Sequence, residues 1–148
     1  MRGIVLYEKH DSGKSTSLCI LIDNIVASGG VIDLGKDKIY GMAGSIGVDR
    51  VVRIKYHEKT IGITSRGDDR KVLEEDFSYL GKCDFYICAA RTKGETRDYL
   101  KSTYDDEVVW QRKWRVEGCD TMSLKDKLTD EINMSQAQML KKVLDNIL

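Results

Sequence analysis

The stretch YEKHDSGKST (residues 7–16) separates two segments of different periodicity, and this succession decides the fold. Before it, residues 4–6 (IVL) form a short apolar run, which is typical of a strand buried on both faces of a sheet. After it, apolar residues recur at spacings of three and four, namely Leu18, Leu21, Ile22, Ile25 and Val26. Gly29 and Gly30 then supply a stop signal, so the sequence predicts a strand, a glycine-containing loop and a helix from about Lys14 to Ser28.

The loop offers the groups that a bound phosphate needs, which are backbone N–H groups at a helix N-terminus, a flexible lysine and a hydroxyl for Mg²⁺. Gly13 would let the backbone approach closely, Lys14 would pair with β and γ oxygens, and Ser15 would ligate Mg²⁺. These residues resemble the Walker A loop of P-loop NTPases. The resemblance implies a nucleotide site formed by Asp11, Ser12, Gly13, Lys14, Ser15 and Thr16, the last reaching the α-phosphate. Its ligands would be Mg²⁺ and ATP or GTP, with ATP slightly favoured.

Glu8 departs from the Walker A pattern, because it stands where that pattern has its first glycine, five residues before Gly13. A carboxylate at this position either repels phosphate or points away into solvent. Alternatively, GKST only caps a helix. The strand before the loop and the helix after it favour nucleotide binding.

The segment KTIGITSRGDD (residues 59–69) completes a predicted antiparallel hairpin whose layout resembles the Ras-like hairpin that ends in DxxG. Gly67 matches the glycine whose N–H meets the γ-phosphate, and Asp68 falls where such proteins orient water. Thr64 takes the place of the strand-end acid that holds magnesium in P-loop proteins. The alternative is that Asp68 and Asp69 cap the following helix.

Two cations follow the predicted strand DFYICAA (residues 84–90) at the edge of the sheet where ligands bind in open α/β folds. Arg91 could stabilise charge on a transferring phosphoryl group, and Lys93 shares its position. Both could equally be solvated surface charges. The adjoining TKGE (residues 92–95) loosely resembles the guanine-recognition motif NKxD but comes one strand too early.

The remaining patterns predict an α/β protein with a three-layer, mainly parallel sheet, an antiparallel hairpin and helices on both faces. A short strand at residues 31–34 precedes a glycine-rich segment at 35–47 that we expect to be a mobile functional loop. A late strand at residues 107–116 would bury Trp110 and Trp114. Two capping signatures in the tail, SLKD from Ser123 and SQAQ from Ser135, predict one broken helix or two. If the reaction were a phosphotransfer, Asp33 or Asp49 would contact the acceptor hydroxyl.

The composition is that of a single globular domain spanning residues 1–148, with 41% hydrophobic and 32% charged residues. Lys plus Arg and Asp plus Glu both total 24, and this balance of charge argues against general nucleic-acid binding. The four cysteines have no CxxC spacing and favour buried thiols over a metal site. Without a secretory signal or a membrane span, we expect a cytoplasmic protein.

The leading function is Mg²⁺-dependent hydrolysis of a nucleoside triphosphate. The sequence leaves open a nucleotide-binding switch or partner module without turnover, a small phosphotransferase, and a P-loop fold that binds no nucleotide. It also leaves open a protein partner and a homo-oligomer.

Overall fold

A computed structural model describes residues 1–9, 13–41, 48–67, 69–104, 107–117 and 121–148. The strands are Gly3–Tyr7 (β1), Val31–Tyr40 (β2), Asp49–Tyr56 (β3), Lys59–Thr64 (β4), Phe85–Ala90 (β5) and Val108–Arg112 (β6). The helices are Lys14–Ala27 (α1), Arg70–Leu80 (α2), Glu95–Thr103 (α3) and Met122–Ile147 (α4). The predicted succession of strand, loop and helix around residues 7–16 is therefore confirmed.

The six strands form one mixed sheet in the order β2-β3-β4-β5-β1-β6. Strands β4, β5, β1 and β6 run parallel to one another, whereas β3 pairs antiparallel with both β4 and the edge strand β2. The expectation of a mainly parallel sheet with an antiparallel hairpin is confirmed. Strand β5 separates β1 from β4, so the hairpin that ends in TSRG does not pair directly with the strand that enters the loop.

Each face of the sheet is covered by two helices, because β1 and β5 are apolar on both sides. One core contains α1 and α4 packed on residues such as Ile4, Leu6, Ile54 and Ile87. The other contains α2 and α3 packed on residues such as Val5, Tyr86 and Cys88. The chain thus has the three layers that the sequence predicts.

The predicted hairpin forms between β3 and β4 around a two-residue turn. His57 and Glu58 both have positive φ values, 49° and 61°, as the turn most common in two-residue hairpins requires. This turn fixes the register, which pairs Val51 with Thr64 and Ile54 with Ile61. The predicted apolar face of β3 is buried.

The expected end of the second strand at residue 34 is wrong, since β2 continues to Tyr40. Gly35 has φ 75° within a register shift between Ile32 and Asp37, after which pairing with β3 resumes. The Tyr79 hydroxyl donates to the Gly35 carbonyl at 2.8 Å and supports this irregularity from α2. Residues 42–47 of the expected mobile loop lie outside the described residues.

The expected break in the tail is also wrong, because α4 runs without interruption from Met122 to Ile147. Ser135 offered a capping signature, yet it lies between Asn133 and Gln136, which are both buried. Packing of this helix against α1 outweighs the local preference for a cap. Among the described helices, none combines the length and apolar character that a bilayer crossing requires.

The predicted burial of both tryptophans holds only in part. Trp110 lies in β6 and packs against the core beneath α2 and α3, whereas β6 ends at Arg112 and leaves Trp114 40% exposed. The expected strand is therefore shorter at its carboxyl end, and Trp114 is not a core residue.

Candidate functional site

The loop between β1 and α1 lies at the edge of the sheet where the parallel strands end. Gly13 precedes α1 with φ 87° and ψ 17°, a left-handed conformation that favours glycine. A Cβ atom at this position would also lie 3.1 Å from the Asn133 Oδ1 atom of α4. The Ser17 hydroxyl is 3.4 Å from both the main-chain and side-chain oxygens of Asn133. The loop is therefore supported by the tail helix, which the sequence did not reveal.

Lys14 occupies the position predicted for the phosphate-binding lysine. Its side chain turns back across the loop, and its Nζ donates to the carbonyl oxygens of Glu8 and Lys9, both at 2.8 Å. The residue is only 7% exposed, so its ammonium lies within the loop rather than in bulk solvent. Thr16 is exposed in the first turn of α1, while Asp11 and Ser12 lie outside the described residues.

Ser15, Asp49 and Ser65 meet beside Lys14, and we call them the hydroxyl–carboxylate cluster. The Ser15 hydroxyl donates to Asp49 Oδ1 at 2.6 Å, and the Ser65 hydroxyl donates to the same oxygen at 2.9 Å. The Ser65 hydroxyl also accepts from the backbone N–H of Arg50 at 2.8 Å. The cluster joins the first turn of α1 to the β3–β4 hairpin.

Asp49 reaches the cluster because β3 runs antiparallel to β4. Val51 pairs with Thr64, so the residue that begins β3 lies at the edge where β4 ends. A carboxylate is therefore present near Ser15, although Thr64 occupies the end of β4, where the sequence comparison with P-loop proteins places an acid. The sequence offered Asp49 only as a possible contact of an acceptor hydroxyl, because its position beside Ser15 depends on the pairing of β3 with β4.

Thr64 and Arg66 are both engaged by Asp76 of α2. The Thr64 hydroxyl donates to Asp76 Oδ2 at 2.6 Å, and Arg66 pairs with both oxygens of the same carboxylate. Asp76 is 1% exposed, and the Arg66 guanidinium lies 3.7 Å from the centre of the Tyr40 ring. This buried network fixes the chain immediately after β4.

Gly67 lies against the end of β5. A Cβ atom at Gly67 would overlap the carbonyl oxygen of Ala89, so close backbone packing alone requires glycine here. Asp69 caps α2 by accepting from the Lys71 N–H at 2.7 Å, which confirms the capping alternative for this residue. Asp68 lies outside the described residues.

Glu8 points neither at the loop amides that follow Gly13 nor into solvent. Its Oε2 accepts from Arg112 Nε at 2.9 Å, and its Oε1 accepts from the Lys9 N–H at 2.9 Å and from the Thr92 hydroxyl at 3.4 Å. The hydrogen bond from Arg112 outweighs burial and lowers the pKa of Glu8 to about 2. Of the two alternatives for Glu8, the solvent-directed carboxylate is wrong, since Glu8 is 3% exposed and ion-paired.

Replacing Glu8 should change how stability depends on pH. The pKa of Glu8 is about 2 in the folded protein, below its ordinary value of 4.5, so the ionised form stabilises the fold above pH 4.5. This contribution disappears as the pH falls from 4.5 towards 2. We expect Glu8→Gln to lower the free energy of unfolding by about 1–3 kcal/mol at pH 7, allowing for the exposed Arg112 partner.

Urea unfolding between pH 2 and pH 7 measures this effect as the difference between the wild-type protein and the variant. Glu74→Gln is the matched control, because Glu74 pairs with Arg70 on the exposed face of α2. The free energy of unfolding of Glu74→Gln should stay close to that of the wild type at every pH. If the free energies of unfolding of wild type and Glu8→Gln changed in parallel from pH 7 to pH 2, the lowered pKa of Glu8 would be contradicted.

Arg91 and Lys93 lie where the sequence places them, exposed just after β5 at the carboxyl edge of the sheet. The neighbouring Thr92 bonds Glu8, and Gly94, with φ 106°, begins α3. The TKGE segment therefore forms the turn that leads into a helix.

The three cysteines that the structure describes are free thiols. Cys88 is buried and free, and burial raises its pKa to about 12, while Cys19 and Cys83 are half-buried thiols. Cys119 lies outside the described residues. Within the described ranges, no three His, Cys, Asp or Glu side chains come together in a way that could hold a metal ion.

No protein-family model matches the chain, and no curated protein or solved structure matches it significantly. The residues of the site alone therefore carry the functional conclusion.

Proposed function

We propose that this protein binds a nucleoside triphosphate with Mg²⁺ at the loop of residues 8–16 and hydrolyses it, with ATP slightly favoured over GTP. The observation that carries the proposal is the 2.6 Å hydrogen bond from Ser15 to Asp49, beside the loop lysine. A Walker A lysine, its following hydroxyl and a nearby aspartate are the parts with which P-loop proteins hold a magnesium nucleotide.

Lys14 and the start of α1 are assigned to the phosphates. The Lys14 ammonium is held at the loop by two backbone carbonyls, which are acceptors that phosphate oxygens can replace. The first N–H groups of a helix have no acceptor within the helix, and at the beginning of α1 they add a partial positive charge on the side of the loop. Glu8 does not oppose binding, because Arg112 balances its charge.

The donor set of the hydroxyl–carboxylate cluster fits Mg²⁺, a hard cation that prefers oxygen ligands and keeps several waters. Ser15 would supply a hydroxyl oxygen and Asp49 a carboxylate oxygen. When bound, the ion would neutralise charge on the β and γ oxygens during phosphoryl transfer. The bond between Ser15 and Asp49 places both oxygens on the same side of the loop.

The residues assigned to turnover lie on the segments that end β4 and β5. We assign the orientation of water to Asp68, which follows Gly67 at the end of β5. Arg91, exposed at the same edge of the sheet, is assigned to stabilising charge on the transferring phosphoryl group.

Asp49→Asn should separate magnesium-dependent binding from binding of the nucleotide alone. Asparagine keeps the shape and a carbonyl oxygen that accepts from Ser15, but it loses the charge that attracts the cation. We expect affinity for Mg-ATP to fall about 10–100-fold, with affinity in EDTA nearly unchanged. Calorimetric titration of ATP and of GTP, with Mg²⁺ and with EDTA, measures both quantities.

Asp33→Asn is the matched control, because Asp33 pairs with Arg53 on the sheet and not with the loop. Equal Mg-ATP affinity in wild type and Asp49→Asn would overturn the magnesium assignment. Absence of wild-type binding to either nucleotide would overturn the proposed function. Phosphate release by the wild type then tests hydrolysis, and binding without release would favour a switch over an enzyme.

A further inference from the structure

Lys113 is a second buried lysine beside the loop. It directly follows β6, and its backbone N–H donates to the Tyr7 carbonyl at 2.8 Å, which extends the pairing of β6 with β1 by one residue. This bond places Lys113 alongside Glu8, where the loop begins. The residue is 3% exposed, and its Nζ donates to the carbonyl of the neighbouring Trp114.

The Lys113 ammonium has no acidic partner in the part of the chain that the structure describes. The nearest acid along the paired strands is Glu8, whose carboxylate is bound by Arg112. Burial, with repulsion from Lys14 as the second cause, lowers the pKa of Lys113 to about 8. A buried cation without a counter-ion is costly, and a bound anion would remove that cost.

The backbone around Lys113 is fixed from α4. Gln136 is completely buried, its Oε1 accepts from the Trp114 N–H at 2.8 Å, and its Nε2 donates to the Arg112 carbonyl at 2.8 Å. These two bonds hold the chain on both sides of Lys113. The backbone that carries the lysine beside Glu8 is therefore rigidly supported, as a preorganised binding group needs.

We propose that Lys113 is a second phosphate-binding cation, which acts with Lys14 on the polyphosphate of the same nucleotide. This inference rests on the proposed function and adds a residue from β6 to a site built from β1 and α1. Because the pKa of Lys113 is about 8, the amine is only partly protonated at pH 8 in the free protein and would take up a fraction of a proton when phosphates bind.

The charged groups around Lys113 allow this proton uptake. Lys14 from α1 disfavours the protonated form, and Glu8 after β1 is already balanced by Arg112. On its own segment, Arg115 pairs with Glu117. From α4, the residues that face this region are the uncharged Asn133 and Gln136. A phosphate group would therefore be the main new charge acting on the amine.

The test is calorimetric titration of Mg-ATP at pH 8 in two buffers of different ionisation enthalpy, which yields affinity and proton uptake together. We expect the wild type to take up a fraction of a proton and Lys113→Met to take up none. The variant should bind about 10–30-fold more weakly. Lys101→Met, which removes an exposed lysine of α3, should match wild type.

The outcomes separate this inference from the proposed function. Wild-type binding with unchanged affinity and unchanged proton uptake in Lys113→Met would overturn the role of Lys113 alone. Absence of wild-type binding would overturn both. Urea unfolding checks that Lys113→Met is folded. If the variant is not folded, proton uptake by the wild type decides the question. Zero uptake by the wild type at pH 8 would contradict the inference.

Discussion

Lys14→Ala is expected to weaken Mg-ATP binding by about 100-fold or more, the largest loss of binding from any single side chain in this protein. The ammonium is 7% exposed, and truncating one member of a buried charge pair costs several kcal/mol because the other charge is left without a partner. In Lys14→Ala, the charge left without a partner would be that of the bound phosphate.

Calorimetry with ATP and Mg²⁺ measures the loss, and Lys101→Ala, which removes an exposed lysine of α3, is the control for a change of net charge. The Lys14→Ala variant should remain folded, because Lys14 Nζ donates at 2.8 Å to two backbone carbonyls of its own loop. Urea unfolding verifies this. An affinity within threefold of wild type would contradict the assignment of residues 8–16 to phosphate binding.

Gly3→Ala is expected to produce the largest loss of stability, about 3 kcal/mol or more. A Cβ atom at Gly3 would overlap the carbonyl oxygen of Tyr86 in β5 and lie 2.6 Å from Cε1 of Tyr104. Relief requires β1 to move away from β5, because the first obstacle is backbone and cannot rotate aside. The Tyr104 ring is 2% exposed and has little room to yield.

Gly29→Ala is the matched control for this prediction. A Cβ atom there meets nothing within 4 Å, but φ is +104°, so the cost is backbone strain of about 1 kcal/mol. Denaturant unfolding of both variants gives the comparison. If Gly3→Ala were no less stable than Gly29→Ala, the close approach of β1 and β5 would be wrong.

Local patterns in the sequence predicted most of the elements. The apolar run before the loop, the spacing of apolar residues in α1 and the alternation in the β3–β4 hairpin each carry their own signal over a few residues. The same patterns carry no information about which strands become neighbours. The uninterrupted α4 shows a second limit, because packing against α1 overrides a capping signature at Ser135.

The candidate site could be predicted only where it is continuous in sequence. Lys14 and Ser15 were found because the loop and the helix adjoin. Asp49 depends on β3 being antiparallel to β4, and Lys113 depends on β6 lying beside β1. The charge of Glu8 could not be judged either, since its partner Arg112 also comes from β6.

The supports of the loop come from distant parts of the chain, which has a consequence for folding kinetics. Glu8 and Arg112 are 104 residues apart, and Ser17 and Asn133 are 116 residues apart. Contacts of such separation form slowly, because long segments must lose conformational freedom before the contact repays that loss. The loop is translated before β6 and α4, and it can acquire these supports only after both have left the ribosome and docked.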